Sequence, residues 1–389
     1  MREVLLDGRS AAVAELSSAL AETLAGTGPV VVPLDAGAPN LAALRAAVAP
    51  EEPVEPEIAV IITTSGSTGE AKGVALSGTA LLASAEATHE RLGGPGHWLL
   101  ATPAQYIGGV QVLVRSLFAG TRPGVVDLSV PFRSASFATA AEPVLDGGAG
   151  RRYTAMVPTQ LRTLLAEGGP GLAALAAFDA VILGAAATSE ELRAQANAAG
   201  VQVVAAYGMS ETASGCVYDG IPLAGLRLRL ADAEAGAGRI ELSGPMLASG
   251  YRGQTELSRA AFGDGWFRTG DSGRLSTDGK LEVLGRTDDL INTGGVKVAP
   301  ALVERALSGQ DGVREVCVLG LPDEHWGQAV AAAIVPTDPH RPPAESDLRE
   351  AVRAALGRAA VPKRFGFLAA LPLRGPGKID RAAVRDLLT

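Results

Sequence analysis

Short apolar strands alternate with helical segments through the first half of the chain, and this alternation limits its fold more than any other feature. Strand patterns lie at residues 29–33, 58–63, 98–102, 124–127, 153–157, 180–183 and 201–206. Helical patterns lie near 10–26, 41–48, 77–91 and 108–119, and from residues 159 and 189 onward. Strands separated by helices of this length predict an α/β fold built on mostly parallel sheets.

The pattern changes in the second half of the chain. Residues 226–284 contain short alternating strands with Gly-rich turns, which predict a small β subdomain. A polar stretch at 285–289 follows, and beyond it two helical patterns and two strand patterns indicate a separate α+β unit. The sequence therefore predicts two domains, a large N-terminal domain over 1–285 and a small mobile C-terminal domain over 286–389.

Charge and composition exclude several functional classes. The chain of 389 residues has 34 Lys and Arg against 42 Asp and Glu, a formal net charge of −8, which argues against a nucleic-acid-binding face. It has no run of about twenty apolar residues that would span a membrane, and no signal-peptide pattern at its start. Cys216 and Cys317 lie far apart, near no cluster of metal ligands. We expect a cytoplasmic protein.

The stretch 63–73, Thr-Thr-Ser-Gly-Ser-Thr-Gly-Glu-Ala-Lys-Gly, is the strongest functional signal. Small residues let backbone N–H groups turn toward an anion, hydroxyls donate further hydrogen bonds, and Lys72 adds a positive charge. The spacing is not that of a Walker loop. With a strand before it and a helix after it, the stretch predicts a phosphate-binding loop in a strand–loop–helix context rather than a flexible turn.

Two further stretches contain residues suited to a nucleotide. In 206–212, the ring of Tyr207 could stack on a purine and the carboxylate of Glu211 could bind Mg²⁺. In 265–271, the carboxylate of Asp271 could accept hydrogen bonds from a ribose. Each is open to a plainer interpretation, a strand-end loop for the first and a β-turn for the second.

Two stretches lie in the predicted hinge and near the C-terminus. Arg286, in 285–297, could hold a ribose or phosphate, and Asp288 lies where a hinge would be; a charged linker explains both equally well. Lys378 lies in the Gly- and Pro-rich stretch 372–381 and could bring a positive charge to a phosphate transition state. Alone, it would be a solvated lysine.

In this order and spacing, the five stretches resemble the adenylate-forming superfamily of acyl-CoA ligases, peptide-synthetase adenylation domains and luciferases, over residues 58–381. The resemblance assigns the ATP phosphates to Thr64, Ser65, Gly66, Ser67, Thr68, Gly69 and Lys72. It assigns the adenine and acyl pockets to Gly184, Ala185, Ala186, Tyr207, Gly208, Met209 and Ser210. It also implies Mg²⁺ on Glu211, the α-phosphate on Thr212, the ribose on Asp271 and Arg286, a hinge at Asp288, and a pantetheine tunnel beside Gly294 and Gly295.

The resemblance implies a reaction in two halves, with ATP, Mg²⁺ and coenzyme A. A carboxylate oxygen attacks the α-phosphorus of ATP to give acyl-AMP and pyrophosphate, and Lys378, Glu211, Thr68 and Lys72 carry the catalysis. The small domain then rotates about Asp288, and coenzyme A attacks the mixed anhydride to give a thioester.

The chain departs from the superfamily pattern in two places. The segment before the phosphate loop is much shorter than usual, and Tyr106, three residues before Gly109, stands where many relatives carry a histidine. By the resemblance, Tyr106 and Gly109 are candidate residues of the acyl-substrate pocket. Within the superfamily, 106–117 and 207–220 resemble the compact actinobacterial-type o-succinylbenzoate–CoA ligases of menaquinone synthesis. That substrate keeps one carboxylate free, and Arg115 could compensate its charge. A helix-surface position would equally explain Arg115.

Three other functions compete with this interpretation. The chain could be a CoA ligase for another aromatic or medium-chain acid, or a stand-alone adenylation domain. It could also be a nucleotide-binding regulator without catalysis, although the presence of Lys72, Glu211, Asp271, Arg286 and Lys378 together speaks against that. We expect small-molecule substrates and a homodimer.

Overall fold

The computed structural model describes residues 1–65, 71–234, 236–373 and 379–389. The chain forms two compact units. Unit 1 comprises Met1–Thr188, Leu192–Arg229 and Glu241–Arg268, and unit 2 comprises Ser189–Glu191, Leu230–Ile240 and Thr269–Thr389. The mixed α/β fold is confirmed. The predicted boundary between residues 285 and 286 separates the large domain from the mobile C-terminal domain, and it stays a prediction.

The first sheet of unit 1 contains the phosphate-loop stretch. Its strands are β1 (Arg2–Leu6), β2 (Val31–Asp35), β3 (Ile58–Ser65), β4 (Ala71–Ser77) and β14 (Gly250–Tyr251), in the order β1-β2-β3-β4-β14. The first three strands run parallel, whereas β4 is antiparallel to both β3 and β14. Apolar side chains of β2, β3 and β4 form a buried core against the 41–48 region.

The second sheet of unit 1 has the order β11-β10-β9-β8-β7-β5-β6. Its strands are β5 (Gly96–Leu100), β6 (Gly124–Val125), β7 (Arg151–Met156), β8 (Ala180–Leu183), β9 (Val203–Met209), β10 (Ser214–Tyr218) and β11 (Ile221–Pro222). Strands β5 to β9 pair in parallel, and β9, β10 and β11 form an antiparallel edge.

Helices cover these sheets much as the alternating pattern predicts. They are α1 (Ser10–Leu24), α2 (Leu41–Ala47), α3 (Gly78–Leu92), α4 (Ile107–Phe118), α5 (Ser134–Leu145), α6 (Pro158–Glu167), α7 (Gly169–Ala176), α8 (Glu190–Ala198) and α9 (Thr255–Ala261). Helix α3 begins where the Ser77 hydroxyl accepts a hydrogen bond from the Ala80 N–H at 3.1 Å, and it ends at Gly93 in the left-handed conformation.

The small β subdomain predicted over 226–284 is present. A four-stranded sheet has the order β12-β13-β15-β16, with β12 (Arg227–Glu234), β13 (Ala237–Ser243), β15 (Phe267–Leu275) and β16 (Leu281–Arg286). The rest of unit 2 has the sheet order β18-β17-β20-β19, with β21 parallel to β20. These elements are β17 (Ile291–Thr293), β18 (Val296–Val298), α10 (Pro300–Ser308), β19 (Val313–Asp323), β20 (Gly327–Pro336), α11 (Glu345–Leu356), β21 (Arg364–Phe367) and α12 (Arg381–Leu388).

The predicted strand–loop–helix setting of the phosphate loop is wrong. The chain returns from the loop as β4, so the loop connects two antiparallel strands, and α3 begins only after Ser77. Thr64 lies opposite Lys72, and Thr63 lies opposite Gly73. The apolar residues 74–76 are buried within β4, beside β3. Three apolar residues are too few for their periodicity to predict this strand.

A buried polar cluster lies between α3, α4 and the second sheet. The indole Nε1 of Trp98 donates to His89 Nε2 at 3.0 Å, and the ring of Tyr153 stacks on His89 with centroids 6.3 Å apart. The guanidinium of Arg115 lies 5.1 Å from the Trp98 ring centroid. Because His89 accepts at Nε2, it is neutral with its proton on Nδ1. Burial first, and then the charge of Arg115, lower the pKa of His89 from 6.5 to about 4.

This depressed pKa predicts an acid-sensitive fold. Above pH 6.5 His89 is neutral in both the folded and unfolded chain, and the stabilisation that its neutral form gives is fully present. As the pH falls from 6.5 toward 4, the unfolded chain binds a proton that the folded chain excludes, and up to roughly 3 kcal/mol of stability is lost. Thermal unfolding followed across this range should show a flatter pH dependence for His89→Gln than for the unsubstituted chain.

The matched control is His97→Gln, since His97 is a half-buried histidine of the same unit. Its pH profile should parallel that of the unsubstituted chain. An equally steep profile in His89→Gln would contradict the assignment of the acid sensitivity to His89.

Candidate active site

The turn 207–212 is held by several hydrogen bonds of its own. Tyr207, Gly208 and Met209 end β9, and a 3₁₀ turn at Ser210–Thr212 leads into β10. The Thr212 hydroxyl accepts from the Met209 N–H at 2.9 Å and donates to the Ser214 carbonyl at 2.7 Å. Ala213 and Ser214 follow with φ of 49° and 91°, a backbone conformation that is costly for residues other than glycine. The contact of Thr212 with the α-phosphate stays a prediction.

Side chains of α3 and α4 form hydrogen bonds with the hairpin of β9 and β10, which contains this turn. The Ser84 hydroxyl donates to the Ala213 carbonyl at 2.9 Å, and the hydroxyls of Thr88 and Tyr218 lie 3.2 Å apart. Arg115 reaches the same Tyr218 hydroxyl at 3.4 Å. Since all of these side chains are buried, the turn cannot shift without breaking hydrogen bonds in the interior.

Glu211, Tyr251 and Lys72 meet beside this turn. The Tyr251 hydroxyl donates to Glu211 Oε1 at 3.0 Å, and Lys72 Nζ lies 5.6 Å from the centroid of the same ring, within range of a cation–π interaction. Among the described residues, Tyr251 is the hydrogen-bond partner of the Glu211 side chain. Oε2 of Glu211 therefore remains open to a ligand.

This donor set fits Mg²⁺ better than a transition metal. No group of three or more His, Cys, Asp or Glu residues suited to a metal occurs in the described parts of the chain. Magnesium is usually held by one or two carboxylates together with substrate phosphates. A single half-buried carboxylate beside a lysine is such an arrangement.

The small-residue turn after β8 leaves room for a ligand. Gly184 is half-buried, whereas Ala185 and Ala186 are exposed. A Cβ atom added at Gly184 would have its nearest neighbour, the Ala206 carbonyl oxygen, 4.0 Å away. Ala185 has a φ of 68°, which is unusual for alanine. Packing therefore does not require these small side chains.

Several predicted residues lie outside the described parts of the chain. They are Gly66, Ser67, Thr68, Gly69 and Lys378, together with the side chain of Ser65. The two strands that lead into and out of the first gap place Thr64 opposite Lys72.

The predicted acyl-side residues have different environments. Tyr106 is 41% exposed and precedes the first turn of α4. Gly109 is required by packing, since a Cβ there would collide with the backbone of Pro103 and Ala104. Ser210 is buried. Arg115 is 1% exposed, so the surface interpretation of this residue is wrong.

The Arg115 guanidinium is buried without a compensating charge. Its hydrogen bond goes to Tyr218, its Nε is unpartnered, and no carboxylate of the described residues lies within ion-pair distance. Desolvation by burial, opposed by Tyr218, lowers the pKa of Arg115. Burying a cation away from any carboxylate of the described residues is costly, and the contacts with Tyr218 and Trp98 offset part of that cost.

Unit 2 contains the predicted ribose and hinge residues. Asp271 on β15 lies opposite Arg286 on β16, with 3.9 Å between Asp271 Oδ1 and an Arg286 nitrogen. Arg286 also donates to both oxygens of Asp288 at 3.2 Å. Partial burial acts against its charge, but the hydrogen bond to Asp288 and the charges of Asp288, Asp271 and Asp289 raise the pKa of Arg286. Arg286 is thus a permanent cation beside Asp271.

A cleft of unit 2 begins at Gly294. Its volume is about 370 Å³, within the usual range for ligand sites, and its lining is Thr293, Gly294, Val296, Trp326, Arg353, Arg358, Ala359, Val361 and Lys363. A side chain at Gly294 would strike the Trp326 ring at 2.6 Å. Trp326 is 42% exposed, and Lys363 Nζ lies 5.3 Å from its centroid. Gly295 has open space around it.

The sequence did not single out Tyr251, Trp326 or the three cations of this cleft. Tyr251 lies 40 residues from Glu211, and only the pairing of β14 with β4 brings it beside Lys72. An aromatic residue flanked by Gly250 and Arg252 was the available signal, and many strand residues share it.

Two family models match separate parts of the chain. The family model described as AMP-binding enzyme matches residues 4–252, and that described as AMP-binding enzyme C-terminal domain matches 302–378. A probable 2-succinylbenzoate–CoA ligase of Mycobacterium tuberculosis is 44% identical over 377 residues, 96% of this chain and 95% of the relative. No helix of the described residues has the length and apolar character that a membrane span requires.

Two solved structures are also similar. The o-succinylbenzoate coenzyme A synthetase of Bacillus subtilis, in complex with ATP and magnesium ion, is 27% identical with a TM-score of 0.71, over 85% of this chain and 70% of that one. ATP-bound MatB of Rhodopseudomonas palustris is 23% identical with a TM-score of 0.83, over 99% of this chain and 88% of that one, and shares the fold.

A glycine pair tests the packing of the 207–212 turn. Gly208 lies opposite Gly215, and a Cβ at Gly208 would approach the Gly215 Cα to 2.6 Å and collide with the Ser214 carbonyl. Gly208→Ala should therefore destabilise the chain by about 1–3 kcal/mol in chemical denaturation. Gly184→Ala, at an open position, is the control and should retain full stability. Equal stabilities of the two variants would contradict this account.

Proposed function

We propose that this chain, which belongs to the family of AMP-binding enzymes, is an ATP-dependent acid–CoA ligase whose acid is o-succinylbenzoate. The observation that carries the proposal is the meeting of Lys72 and Glu211 at one tyrosine ring. A cation that follows the Ser- and Gly-rich stretch in the chain, together with a carboxylate beside the same tyrosine, suits a triphosphate and its Mg²⁺.

The proposed first half-reaction uses Lys72, Glu211, Asp271 and Arg286, together with Lys378. Lys72 binds phosphate oxygens, and Glu211 would hold a Mg²⁺ ion, which when bound would supply positive charge to the phosphates. The acid's carboxylate oxygen forms a bond to the α-phosphorus, and the bond from that phosphorus to the bridging oxygen breaks to release pyrophosphate. Asp271 accepts hydrogen bonds from the ribose hydroxyls, and Arg286 lies 3.9 Å from it.

Coenzyme A is the proposed acceptor in the second half-reaction. The cleft beside Gly294 has the chemistry for its nucleotide: Trp326 offers a face for adenine, and Arg353, Arg358 and Lys363 offer charges for its phosphates. The thiol sulfur attacks the acyl carbonyl carbon of acyl-AMP, and AMP leaves. Rotation about Asp288 between the halves, a homodimer and a cytoplasmic location stay predictions.

Two features support o-succinylbenzoate as the acid. The relatives from Mycobacterium tuberculosis and Bacillus subtilis have names that specify this acid, and the first is 44% identical over nearly the full chain. Arg115 is a buried cation that meets no carboxylate among the described residues. The second carboxylate of the acid, reached directly or through water, would compensate this charge.

The first test separates the two half-reactions. Lys378→Ala should lower acyl-AMP formation by at least about 100-fold, because one preorganised charge on the transition state is removed. Thioester formation from supplied acyl-AMP should change little. Pyrophosphate release measured with o-succinylbenzoate, benzoate and octanoate identifies the acid. Equal loss in both halves would reject the role of Lys378, and turnover with benzoate or octanoate alone would reject the proposed acid.

The second test addresses Arg115. Arg115→Met should lower kcat/KM for o-succinylbenzoate by roughly 10–100-fold, as expected for losing a charge-assisted hydrogen bond. The loss should be small with 4-oxo-4-phenylbutanoate, the same acid without the ring carboxylate. Arg115→Lys keeps the charge and controls for damage to the fold, together with the ATP affinity of each variant. An equal loss with both acids would show that Arg115 does not recognise the second carboxylate.

A further inference from the structure

Strand β14 lies between the strand that bears Lys72 and the turn that bears Glu211. Its residues pair with β4, Gly250 opposite Ala75 and Tyr251 opposite Val74. Just before it, the Ala248 N–H donates to the backbone carbonyl of Glu211 at 2.8 Å. One short strand therefore contacts both the strand that bears Lys72 and the turn that bears Glu211.

The backbone on either side of Tyr251 is held firmly. Arg252 is buried, and its N–H donates to the Gly73 carbonyl at 2.7 Å. Its guanidinium donates to the backbone carbonyls of Val48, Ala49, Glu52 and Pro53. The Tyr251 N–H donates to the Ser258 hydroxyl at 2.8 Å. Such anchoring leaves the tyrosine ring little freedom to move.

The side chain of Tyr251 is fixed as well. Its ring packs edge-on against Phe262 with centroids 5.6 Å apart, and Phe262 stacks on Phe267 at 4.7 Å. From this position the hydroxyl reaches Glu211 Oε1 at 3.0 Å, while Lys72 Nζ lies over the ring. Nothing in the sequence patterns assigned a function to Tyr251.

We propose that Tyr251 is a positioning residue for magnesium and phosphate binding. Its hydroxyl fixes one oxygen of Glu211 and thereby directs the other toward the metal, and its ring holds the Lys72 ammonium beside the phosphates. The inference rests on the proposed function, since it takes Glu211 as the magnesium ligand. Tyrosine suits this role because a neutral donor orients the carboxylate without cancelling the charge that attracts the metal.

Removing only the hydroxyl tests the contact with Glu211. Partners that orient a metal-binding carboxylate commonly change metal affinity by 10–100-fold when they are removed. In Tyr251→Phe, we therefore expect the Mg²⁺ concentration for half-maximal pyrophosphate release to rise about tenfold, with kcat recovering at high Mg²⁺. Isothermal titration calorimetry should show weaker ATP binding in the presence of limiting Mg²⁺ and unchanged ATP binding without it.

Two further variants separate positioning from general damage. Tyr153→Phe also removes a buried tyrosine hydroxyl, one that donates to backbone carbonyls away from Glu211, and its Mg²⁺ dependence should match the unsubstituted chain. Tyr251→Leu removes the ring beneath Lys72 and should weaken ATP binding even without Mg²⁺. In a Glu211→Gln background, Tyr251→Phe should have no further effect on the Mg²⁺ requirement.

The outcomes distinguish this inference from the proposed function. An unchanged Mg²⁺ requirement in Tyr251→Phe, or a loss of ATP affinity that is equal with and without Mg²⁺, would overturn the role of Tyr251 and leave the ligase proposal intact. Absence of pyrophosphate release from the unsubstituted chain with every acid would reject the ligase proposal, while calorimetry with ATP and Mg²⁺ would still test Tyr251.

Discussion

Strand β4 is hydrogen-bonded on both sides, and the candidate site of unit 1 depends on this double pairing. On one side β3 sets the register that puts Thr64 opposite Lys72. On the other side β14 brings Tyr251 to the same strand. Because side chains on a strand are fixed by its register, a shift of one residue would turn Lys72 to the opposite face and separate it from Tyr251. The charge arrangement at Glu211 is therefore a consequence of backbone pairing.

Buried polar side chains in the interior of unit 1 also hold the turn that bears Glu211. Thr88 and Arg115 both reach Tyr218 on β10, the strand that follows the Glu211 turn. Buried hydrogen bonds of this kind fix one arrangement because breaking them leaves polar atoms without partners. The same burial that depresses the pKa of His89 leaves Arg115 uncompensated.

The sequence predicted more of the fold than of the site. Alternation of apolar strands and helices gave the parallel sheet of unit 1, since buried strands and amphipathic helices have distinct periods. The sequence did not predict that β4 pairs antiparallel with β3. An apolar run of only three residues after the loop does not show that these residues form a strand, or which strand they pair with. Glu211 and Lys72 were predicted from their charged side chains within motifs. Tyr251 was not predicted, since its contact with Glu211 joins residues that are 40 positions apart in the sequence. Residues that belong to a motif can be recognised from the neighbouring sequence, whereas the residues that orient them cannot.

The glycines of the motifs show why spacing alone cannot separate structure from function. Gly208 and Gly294 are needed where they stand because a Cβ would strike Gly215 in one case and Trp326 in the other. Gly184 lies in a similar small-residue stretch, yet no neighbouring atom approaches within 4 Å of its added Cβ beyond the Ala206 carbonyl at 4.0 Å. Packing explains the first two and leaves the third unexplained. At Gly184 the space beside the backbone is open, so the small size of this residue does not follow from packing as it does at Gly208 and Gly294.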